Sequence, residues 1–322
     1  MTFTPLFGTG FEMGTTLILG YAKDSVTTSS PTPKTGSYCA YIRDFGDNTF
    51  NLPTTGSDLY FNLWFQRTTT SNQIGVVLGD GKKIYIALTD PLTYYVDGTL
   101  VGTGTHAVNA SQWYNLRFHI VSADSGSFEV RLDGVTDLNY SGDTKPGTST
   151  TISKFYLNLS ITAGNAVWLD DFTYGSGGWP EDIRYTLLKP TADTAQKDFS
   201  RSTGSDNYAL VDEVPPSATD YVYSSTNGHK DFYDITDFNA SVTGNTLIPL
   251  FTIQWVQAWK AEVNTQQFKF MQKLGATEYA SDAKDVSATA AMYWDLRATD
   301  PAGAAWTDAN LDSLQIGQQA VI

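Results

Sequence analysis

The sequence predicts an all-β protein, and three observations support that prediction. Aromatic residues make up 13% of the 322 residues and glycine is abundant, a composition suited to pleated, half-buried surfaces joined by turns. Short runs of alternating apolar and polar residues recur along the chain. Asp-Gly and Gly-rich pairs separate several of these runs, and such pairs are the strongest short-range signal of a hairpin.

The first half of the chain consists of closely spaced candidate strands. Turn signals between them include Asp97-Gly98 and Asp133-Gly134. Strands are predicted at 37–42, 59–66, 73–78, 83–88, 93–96, 113–121, 127–132, 154–161 and 166–174. Many short strands at this spacing predict a sandwich or a barrel.

A boundary between two domains is predicted at the glycine-rich segment that precedes Trp179 and Pro180. Glycine makes the backbone permissive, and proline biases the residue before it towards an extended conformation. The predicted domains are therefore residues 1–175 and 176–322. A chain of 322 residues suits two domains of roughly 100–200 residues each.

The sequence of the second half also predicts a β-sandwich, although its residue pattern differs from that of the first half. Strands are predicted at 183–188, 231–236, 247–260, 267–274 and 290–297. The polar stretch 189–207 is predicted to be an exposed loop. A short helix is predicted at 307–314 with Thr307 as its N-cap, because a threonine hydroxyl there can accept a hydrogen bond from a free backbone N–H.

The charge and composition of the chain limit the classes of partner that are expected. The formal net charge is −14, so neither nucleic acid nor an anionic membrane is expected as the main partner. No apolar run approaches the ~18 residues that a membrane helix needs, and the first residues lack the basic start of a signal peptide. The single cysteine, Cys39, lies in an alternating run and is predicted to be a small buried residue.

Several segments of the first half share their order and pattern with a known fold. They are Gly10-Phe11-Glu12, the aromatic strand 59–65, the hairpin 94–98 with the strand 111–118, the hairpin 128–134 and the strand 167–172. Together they resemble the concanavalin A-like, laminin-G-like jelly roll over roughly residues 4–174. The fold class is therefore expected to be an N-terminal jelly-roll sandwich followed by a second β-sandwich.

Segments of the second half resemble tailed-bacteriophage structural proteins. The segments that carry this resemblance are 178–184, 207–213, 220–222, 306–307 and 314–317. The resemblance implies a virion protein of the tail, collar or capsid surface that is assembled in the host cytoplasm. It would function without catalysis, as a homo-oligomer in contact with other virion proteins. The alternative function is that of an adhesin whose jelly roll binds a glycan on the host surface.

No catalytic centre is recognised in the sequence. Some jelly rolls of this superfamily hydrolyse glycans with two carboxylates on one strand. The nearest approach here is Glu129 and Asp133, but Arg131 lies between them and Asp133 belongs to the turn. The three histidines are widely separated and lack metal-ligand spacing. The protein is therefore expected not to be an enzyme.

Two candidate sites follow from the resemblance and from the aromatic residues. If the first half adopts the jelly-roll fold, Glu12 and Asp171 lie on neighbouring terminal strands and could share a structural calcium ion with backbone oxygens. The alternative is that Asp170 and Asp171 form a solvated edge and a hairpin cap. Tyr95 and Trp113 are candidate glycan contacts, because apolar faces of sugar rings stack on aromatic side chains. The alternative for both is packing in the core.

Overall fold

The computed structural model describes residues 3–12, 25–27, 31–42, 46–70, 72–159, 166–180, 182–238, 248–261 and 265–322. The chain divides into two compact units, residues 1–185 and 186–322. Both units are built from antiparallel strands, so the predicted all-β fold class is confirmed. In the part of the chain that is described, no helix is long and apolar enough to cross a membrane.

The first unit contains fourteen described strands. They are β1 Thr4–Thr9, β2 Ser25–Thr27, β3 Cys39–Ile42, β4 Gly46–Gly56, β5 Asp58–Arg67, β6 Gln73–Leu78, β7 Lys83–Ala87, β8 Thr93–Val96, β9 Thr99–Thr103, β10 Tyr114–Val121, β11 Gly126–Leu132, β12 Val135–Gly142, β13 Ile152–Leu159 and β14 Val167–Ser176.

These strands form two sheets. Sheet A has eight strands in the order β12-β11-β10-β5-β14-β3-β2, with β1 also paired to β14. Sheet B has six strands in the order β4-β13-β6-β7-β8-β9. The first and last strands of the unit, β1 and β14, lie side by side, as the resemblance to a jelly roll implies.

The core of the first unit lies between the two sheets. Phe61 of sheet A stacks on Phe118 of the same sheet with ring centroids 4.6 Å apart, and reaches Phe155 of sheet B at 6.4 Å. All three side chains are at most 1% exposed. Burial of each ring contributes roughly 1.5–3 kcal/mol, so inward-facing aromatic residues hold the sheets together.

The predicted Asp-Gly hairpin turns have the expected backbone geometry. Asp97 and Gly98 have φ values of 44° and 84°, and Asp133 and Gly134 have 49° and 84°. Two successive positive φ values give the turn whose twist matches the right-handed twist of the flanking strands. The turns therefore set the pairing of β8 with β9 and of β11 with β12.

The second unit contains ten described strands, one short 3-10 helix and one short α-helix. They are β15 Pro190–Lys197, β16 Ser200–Arg201, the 3-10 helix Tyr208–Leu210, β17 Val222–Tyr223, β18 Lys230–Ile235, β19 Thr252–Ala258, β20 Gln267–Leu274, β21 Thr277–Ala280, β22 Lys284–Asp285, β23 Ala291–Arg297, α1 Asp308–Asp312 and β24 Leu314–Val321.

A six-stranded sheet is the centre of the second unit. Sheet C has the order β15-β18-β24-β20-β21, with β22 also paired to β20. β19 pairs with β23 as a separate two-stranded ribbon, and β16 pairs with β17. Side chains of the ribbon contact sheet C, where Gln254 Nε2 donates to the carbonyl oxygen of Gly317 at 2.8 Å. The second unit is thus also a layered β structure.

Two local predictions for the second half are wrong. Residues 183–188 are not a strand, and the predicted loop 189–207 contains the edge strand β15. The predicted N-cap is present, since the Thr307 hydroxyl accepts from the backbone N–H of Asn310 at 3.2 Å and α1 begins at the next residue.

The glycine-rich segment after β14 belongs to the first unit by its contacts. The Trp179 ring lies beneath the Arg131 guanidinium at 3.9 Å and meets the Tyr60 ring edge-on at 5.4 Å. Arg117 donates to the carbonyl oxygen of Pro180 at 3.0 Å. The first compact unit extends to residue 185, ten residues beyond the predicted boundary at Gly175.

Candidate functional site

The outward side of sheet B carries a row of tyrosines. Cross-strand register places Tyr156, Gly75, Tyr85 and Tyr95 next to one another on β13, β6, β7 and β8. The rings of Tyr85 and Tyr95 stack with centroids 4.9 Å apart and an interplanar angle of 10°. Both side chains are half-buried. We call this surface the tyrosine face; its members are Asp47, Gln73, Lys83, Tyr85, Tyr95, Tyr156 and Asn158.

Alternation along the strands explains why these rings point outward. Ile84 and Ile86 on β7 are fully buried, so Tyr85 between them faces away from the core. Gly75 allows the strands to approach closely at this point. A Cβ atom there would lie 2.1 Å from the carbonyl oxygen of Ile84, so only glycine fits.

Asp47 is the polar centre of the tyrosine face. Its carboxylate accepts from Lys83 Nζ at 2.5 Å, from the Tyr156 hydroxyl at 3.0 Å and from Asn158 Nδ2 at 2.6 Å. The Tyr156 hydroxyl also lies 2.9 Å from Gln73 Oε1. Three donors fix the carboxylate in one orientation, and the Asp47 side chain remains 49% exposed. The carboxylate is thus pre-oriented and still open to a ligand.

The protonation states on this face follow from its contacts. Partial burial raises the pKa of the Asp47 carboxyl, but the hydrogen bonds from Lys83 and Tyr156 outweigh burial, and the net pKa is lowered. Burial lowers the pKa of Lys83, and the bond to Asp47 reverses that effect and raises it. The pKa of Tyr156 is raised, chiefly by burial. At neutral pH the face therefore presents the ionised Asp47 carboxylate as an acceptor and the protonated Lys83 as a donor, while the buried Tyr156 hydroxyl stays protonated.

The two predicted glycan contacts lie on different sheets. Tyr95 belongs to the tyrosine face of sheet B. Trp113 lies at the start of β10 in sheet A, where its indole N–H donates to the carbonyl oxygen of Thr32 at 3.0 Å. The structure does not bring the two residues together. Sequence reasoning missed Tyr85 and Asp47; the alternation of 83–87 could have identified Tyr85, because Ile84 and Ile86 require it to face outward.

The predicted calcium ligands lie together beside β14, an interior strand of sheet A. Glu12, Asp170 and Asp171, which we call the acidic cluster, are at most 9% exposed. Asp171 is therefore not part of a solvated edge. The same correction applies to Asp170, which is fully buried next to Asp171 on β14. A bulge in the register after Asp170 lets both neighbours point to the same region.

The loop 34–38 closes over the acidic cluster with hydrogen-bond donors. Backbone N–H groups of Lys34 and Thr35 donate to Asp170 Oδ2 at 2.9 and 3.1 Å, and the Thr35 hydroxyl donates to Asp171 Oδ2 at 2.7 Å. The N–H of Ser37 donates to Glu12 Oε2 at 2.9 Å. The two aspartates thus connect the loop to β14, and Glu12 connects it to the residues that follow β1.

Burial raises the pKa of all three carboxyl groups, and repulsion between carboxylates raises it further at the two aspartates. Burial is the largest cause for each, the charge of Asp171 adds to it at Asp170, and the charge of Glu12 adds to it at both aspartates. The same surroundings raise the pKa of the Cys39 thiol to about 12, first through burial and then through the charge of Asp170. Three acids packed this closely are costly to ionise together.

The donor chemistry of the acidic cluster suits a hard cation, since carboxylate oxygens are the ligands that calcium prefers. Among the residues that the structure describes, however, no group of three or more His, Cys, Asp and Glu side chains is arranged to hold a metal. The calcium site at Glu12 and Asp171 stays a prediction.

No protein-family model matches the sequence, and no curated protein matches it. Solved structures of similar fold include the carbohydrate-binding module CBM66 from Bacillus subtilis, at 12% identity over 42% of this chain and 86% of that chain, with a TM-score of 0.33. Galectin LEC-6 from Caenorhabditis elegans is 10% identical over 42% of this chain and 95% of that chain, with a TM-score of 0.29. These likenesses concern the fold and assign no activity to the chain.

Enzymes also occur among the similar structures. The endo-β-1,4-glucuronan lyase from the fungus Trichoderma reesei is 14% identical over 54% of this chain and 96% of that chain, with a TM-score of 0.37. The expectation that the protein is not an enzyme is corrected by this finding, since lyases are among the solved structures to which the chain is similar. None of the structures named here is a virion protein.

Proposed function

We propose that the first unit binds a glycan chain on the tyrosine face. The observation that carries the proposal is the half-buried, stacked pair of Tyr85 and Tyr95 on the same sheet surface as the Asp47–Lys83 ion pair. Sugar rings have apolar C–H faces and a rim of hydroxyl groups. A site for them needs aromatic surface beside a few fixed polar groups, and this face supplies both.

The network around Asp47 explains how the face would select a hydroxyl-rich ligand. The carboxylate is ionised and half-exposed, so it can accept a charge-assisted hydrogen bond from a sugar hydroxyl. Lys83 is 30% exposed and protonated, and can donate to another oxygen of the same sugar. Because the side chains are held by a sheet and by one another, little conformational entropy is lost on binding.

The proposal is tested by screening the full chain on a glycan array and repeating the screen with two variants. Tyr95→Ala removes half of the stacked pair and is expected to weaken binding about five- to tenfold, since an aromatic contact of this kind contributes on the order of 1–1.5 kcal/mol. Trp113→Ala is the matched control, because it removes a larger aromatic residue from the other sheet. Thermal melting verifies that both variants fold.

Three outcomes of this test contradict the proposal. They are the absence of any glycan ligand, retention of full affinity by Tyr95→Ala, and loss of binding in Trp113→Ala alone. Incubation of the array ligand with the protein, followed by assay for new chain ends, determines whether the protein also cleaves what it binds.

We further propose that the acidic cluster takes up one calcium ion, held by Glu12 and Asp171 with Asp170 beside them. A divalent cation would offset the repulsion that raises the pKa of Asp170 and Asp171, and would stabilise the charged form of all three buried carboxyl groups. Addition of a chelator is expected to lower the melting temperature at pH 7, and added calcium is expected to restore it. Asp170→Asn, which removes one charge, should reduce the effect of the chelator. A melting temperature that neither chelator nor calcium moves contradicts the calcium site.

The virion assignment and the homo-oligomer with other virion proteins stay predictions, as does assembly in the host cytoplasm. They rest on the resemblance of the second half alone. A mass-spectrometric inventory of purified particles tests them, and absence of the protein from particles would remove the assignment without affecting the glycan proposal.

A further inference from the structure

Three aromatic side chains of the second unit meet at its surface. Tyr223 belongs to β17, Tyr221 directly precedes that strand, and Trp259 directly follows β19. The centroid of the Tyr221 ring lies 5.2 Å from that of Trp259 and 6.1 Å from that of Tyr223. We call these three side chains the aromatic corner. The fold brings them together from segments that are far apart in the chain.

The aromatic corner is open to solvent, and its backbone is fixed. Tyr221 is 37% exposed and Tyr223 is 53% exposed. The Ser202 N–H donates to the carbonyl oxygen of Tyr221, and the Tyr221 N–H donates to the Ser202 hydroxyl, both at 3.0 Å. The N–H of Lys260, next to Trp259, donates to the carbonyl oxygen of Ser287 at 2.9 Å. Single exposed apolar residues are common, but three contacting rings on a fixed backbone form a preorganised surface.

The angles between the three rings determine which ligand shape they suit. The Tyr221 ring is inclined by 72° to the Trp259 ring and by 58° to the Tyr223 ring. A flat sugar ring stacks best on a flat aromatic surface, whereas a rounded group can touch two inclined rings at once. The face of an aromatic ring is the negative part of its quadrupole, so it attracts a cation within about 6 Å of its centroid. The ring geometry therefore favours a compact cation.

The charges beside the aromatic corner also favour a cation. Asp220 directly precedes Tyr221 in the chain. The pKa of the Glu213 carboxyl is raised chiefly by burial, and the charges of Asp212 and Asp220 add to that effect, while the charge of Lys189 offsets part of it. The three carboxyl groups therefore lie within electrostatic reach of one another, next to the exposed rings.

The arginine of the adjoining strand lies on the opposite side from the tyrosine rings. Arg201 is paired in register with Val222, so alternation places its side chain away from that of Tyr223. The Arg201 guanidinium donates to Asn207 Oδ1 at 3.1 Å. The field at the rings is thus set by the carboxylates, and a cationic ligand complements it.

We propose that the aromatic corner binds a small quaternary ammonium compound such as choline. The rings attract the cation through their faces, and the neighbouring carboxylates add a longer-range attraction. Three aromatic side chains bury about 450–750 Å² when fully covered. That area is below the ~800 Å² per partner of a stable protein interface, so a small ligand fits better than a protein. The carboxylates repel a phosphate group, so the ligand is expected to lack one.

The partial exposure of the rings limits the expected affinity. Cation–π contacts at exposed sites are weaker than those in desolvated ones, so a dissociation constant of roughly 0.1–10 mM is expected for choline. The uncharged isostere 3,3-dimethylbutanol has the shape of choline without its charge, and it is expected to bind at least about tenfold more weakly. Raising the salt concentration to about 0.5 M should weaken choline binding, because salt screens the carboxylates.

A saturation-transfer NMR titration of the full chain with choline tests the proposal. Tyr223→Ala removes one ring and is expected to weaken choline binding about three- to tenfold, whereas Tyr223→Phe keeps the ring and is expected to bind as the wild type does. Tyr140→Ala is the matched control, because it removes a half-buried tyrosine of β12 in the first unit. Tyr221→Ala is a second variant should Tyr223→Ala fail to fold, as judged by thermal melting.

Four outcomes overturn the proposal. The first is a wild-type chain that binds no choline up to about 20 mM, and the second is equal binding of choline and 3,3-dimethylbutanol. The third is full affinity in folded Tyr223→Ala and Tyr221→Ala chains, or an equal loss in Tyr140→Ala. The fourth is tighter binding of phosphorylcholine than of choline. None of these outcomes affects the glycan proposal, which concerns the tyrosine face of the first unit.

Discussion

Replacing Asp47 with asparagine separates the contribution of the tyrosine face to stability from its contribution to binding. The asparagine carbonyl can still accept from Tyr156 and Asn158, which share Oδ1 in the wild type. Only the contact of Oδ2 with Lys83 becomes a repulsion between donors. The substitution thus removes the charge and one ion pair while preserving the shape of the side chain.

The expected effect on stability is small. The Asp47 and Lys83 side chains are 49% and 30% exposed, and an ion pair in such a position contributes about 0–1 kcal/mol. The melting temperature should therefore fall by no more than about 2–4 °C. The effect on binding is expected to be larger, because a hydrogen bond to a charged acceptor contributes about 1.5–3 kcal/mol. Affinity for the glycan selected on the array should fall by roughly 10- to 100-fold.

Titration calorimetry and thermal melting of Asp47→Asn measure both quantities. Asp97→Asn is the matched control, because Asp97 forms a similar ion pair with Lys82 at 2.7 Å at a turn of the same sheet, outside the tyrosine face. The control should lose a comparable amount of stability and no affinity. Unchanged affinity in Asp47→Asn, with a large loss of stability, would show that the network only supports the fold.

Two further substitutions are expected to act mainly on stability. Tyr156→Phe removes a buried hydroxyl that donates to Asp47 and should cost about 1–3 kcal/mol of unfolding free energy, measured by urea denaturation; a loss below about 0.5 kcal/mol contradicts the network. The buried carboxylate of Asp137 accepts from the Tyr94 hydroxyl and contacts the His106 ring at 2.5 Å. Burial raises the pKa of Asp137, but these contacts outweigh burial and lower it. The stability that Asp137 contributes is therefore present above its unfolded pKa of about 4 and is lost as the pH falls below that value. Asp137→Asn should reduce the change in unfolding free energy between pH 5 and about pH 3. An unaltered pH profile in this variant would contradict the role of the Asp137 carboxylate.

Local signals in the sequence predict most strands of the first unit. Runs such as 83–88 and 127–132 alternate strictly, because one side of each strand faces the core. Asp97-Gly98 and Asp133-Gly134 mark two hairpins because few other residue pairs tolerate two positive φ values. The order of the strands within the sheets cannot be predicted from these local signals. β5 lies between β10 and β14, and this pairing depends on packing between segments far apart in the chain.

The errors in the second half have a common physical cause. β15 is an edge strand with a polar sequence, so it lacks the apolar alternation that identifies a strand with a buried side. Residues 183–188 also alternate between apolar and polar side chains, but this segment is not paired with a strand. Tyr185 reaches Thr173 through its hydroxyl at 2.6 Å and occupies the space left by Gly8 and Gly10. An extended segment that packs without strand pairing carries the same pattern as a strand.

The candidate sites are likewise predictable only in part from the sequence. Glu12 and Asp171 could be paired from the resemblance to a jelly roll, because that fold places its terminal strands together. The loop 34–38 that covers them could not be predicted, since most of its donors are backbone N–H groups, which every sequence supplies. Tyr95 could be identified from its hairpin. Its stacking on Tyr85 and the position of Asp47 depend on the register of five strands, from β4 through β13, β6 and β7 to β8.

The most direct test of the glycan proposal is a crystal structure of the full chain with the strongest ligand from the array. The account predicts a sugar ring within about 4 Å of the Tyr85 and Tyr95 rings, with a hydroxyl in hydrogen-bond distance of the Asp47 carboxylate. Density for the ligand on sheet A beside Trp113, or in the second unit, would contradict it.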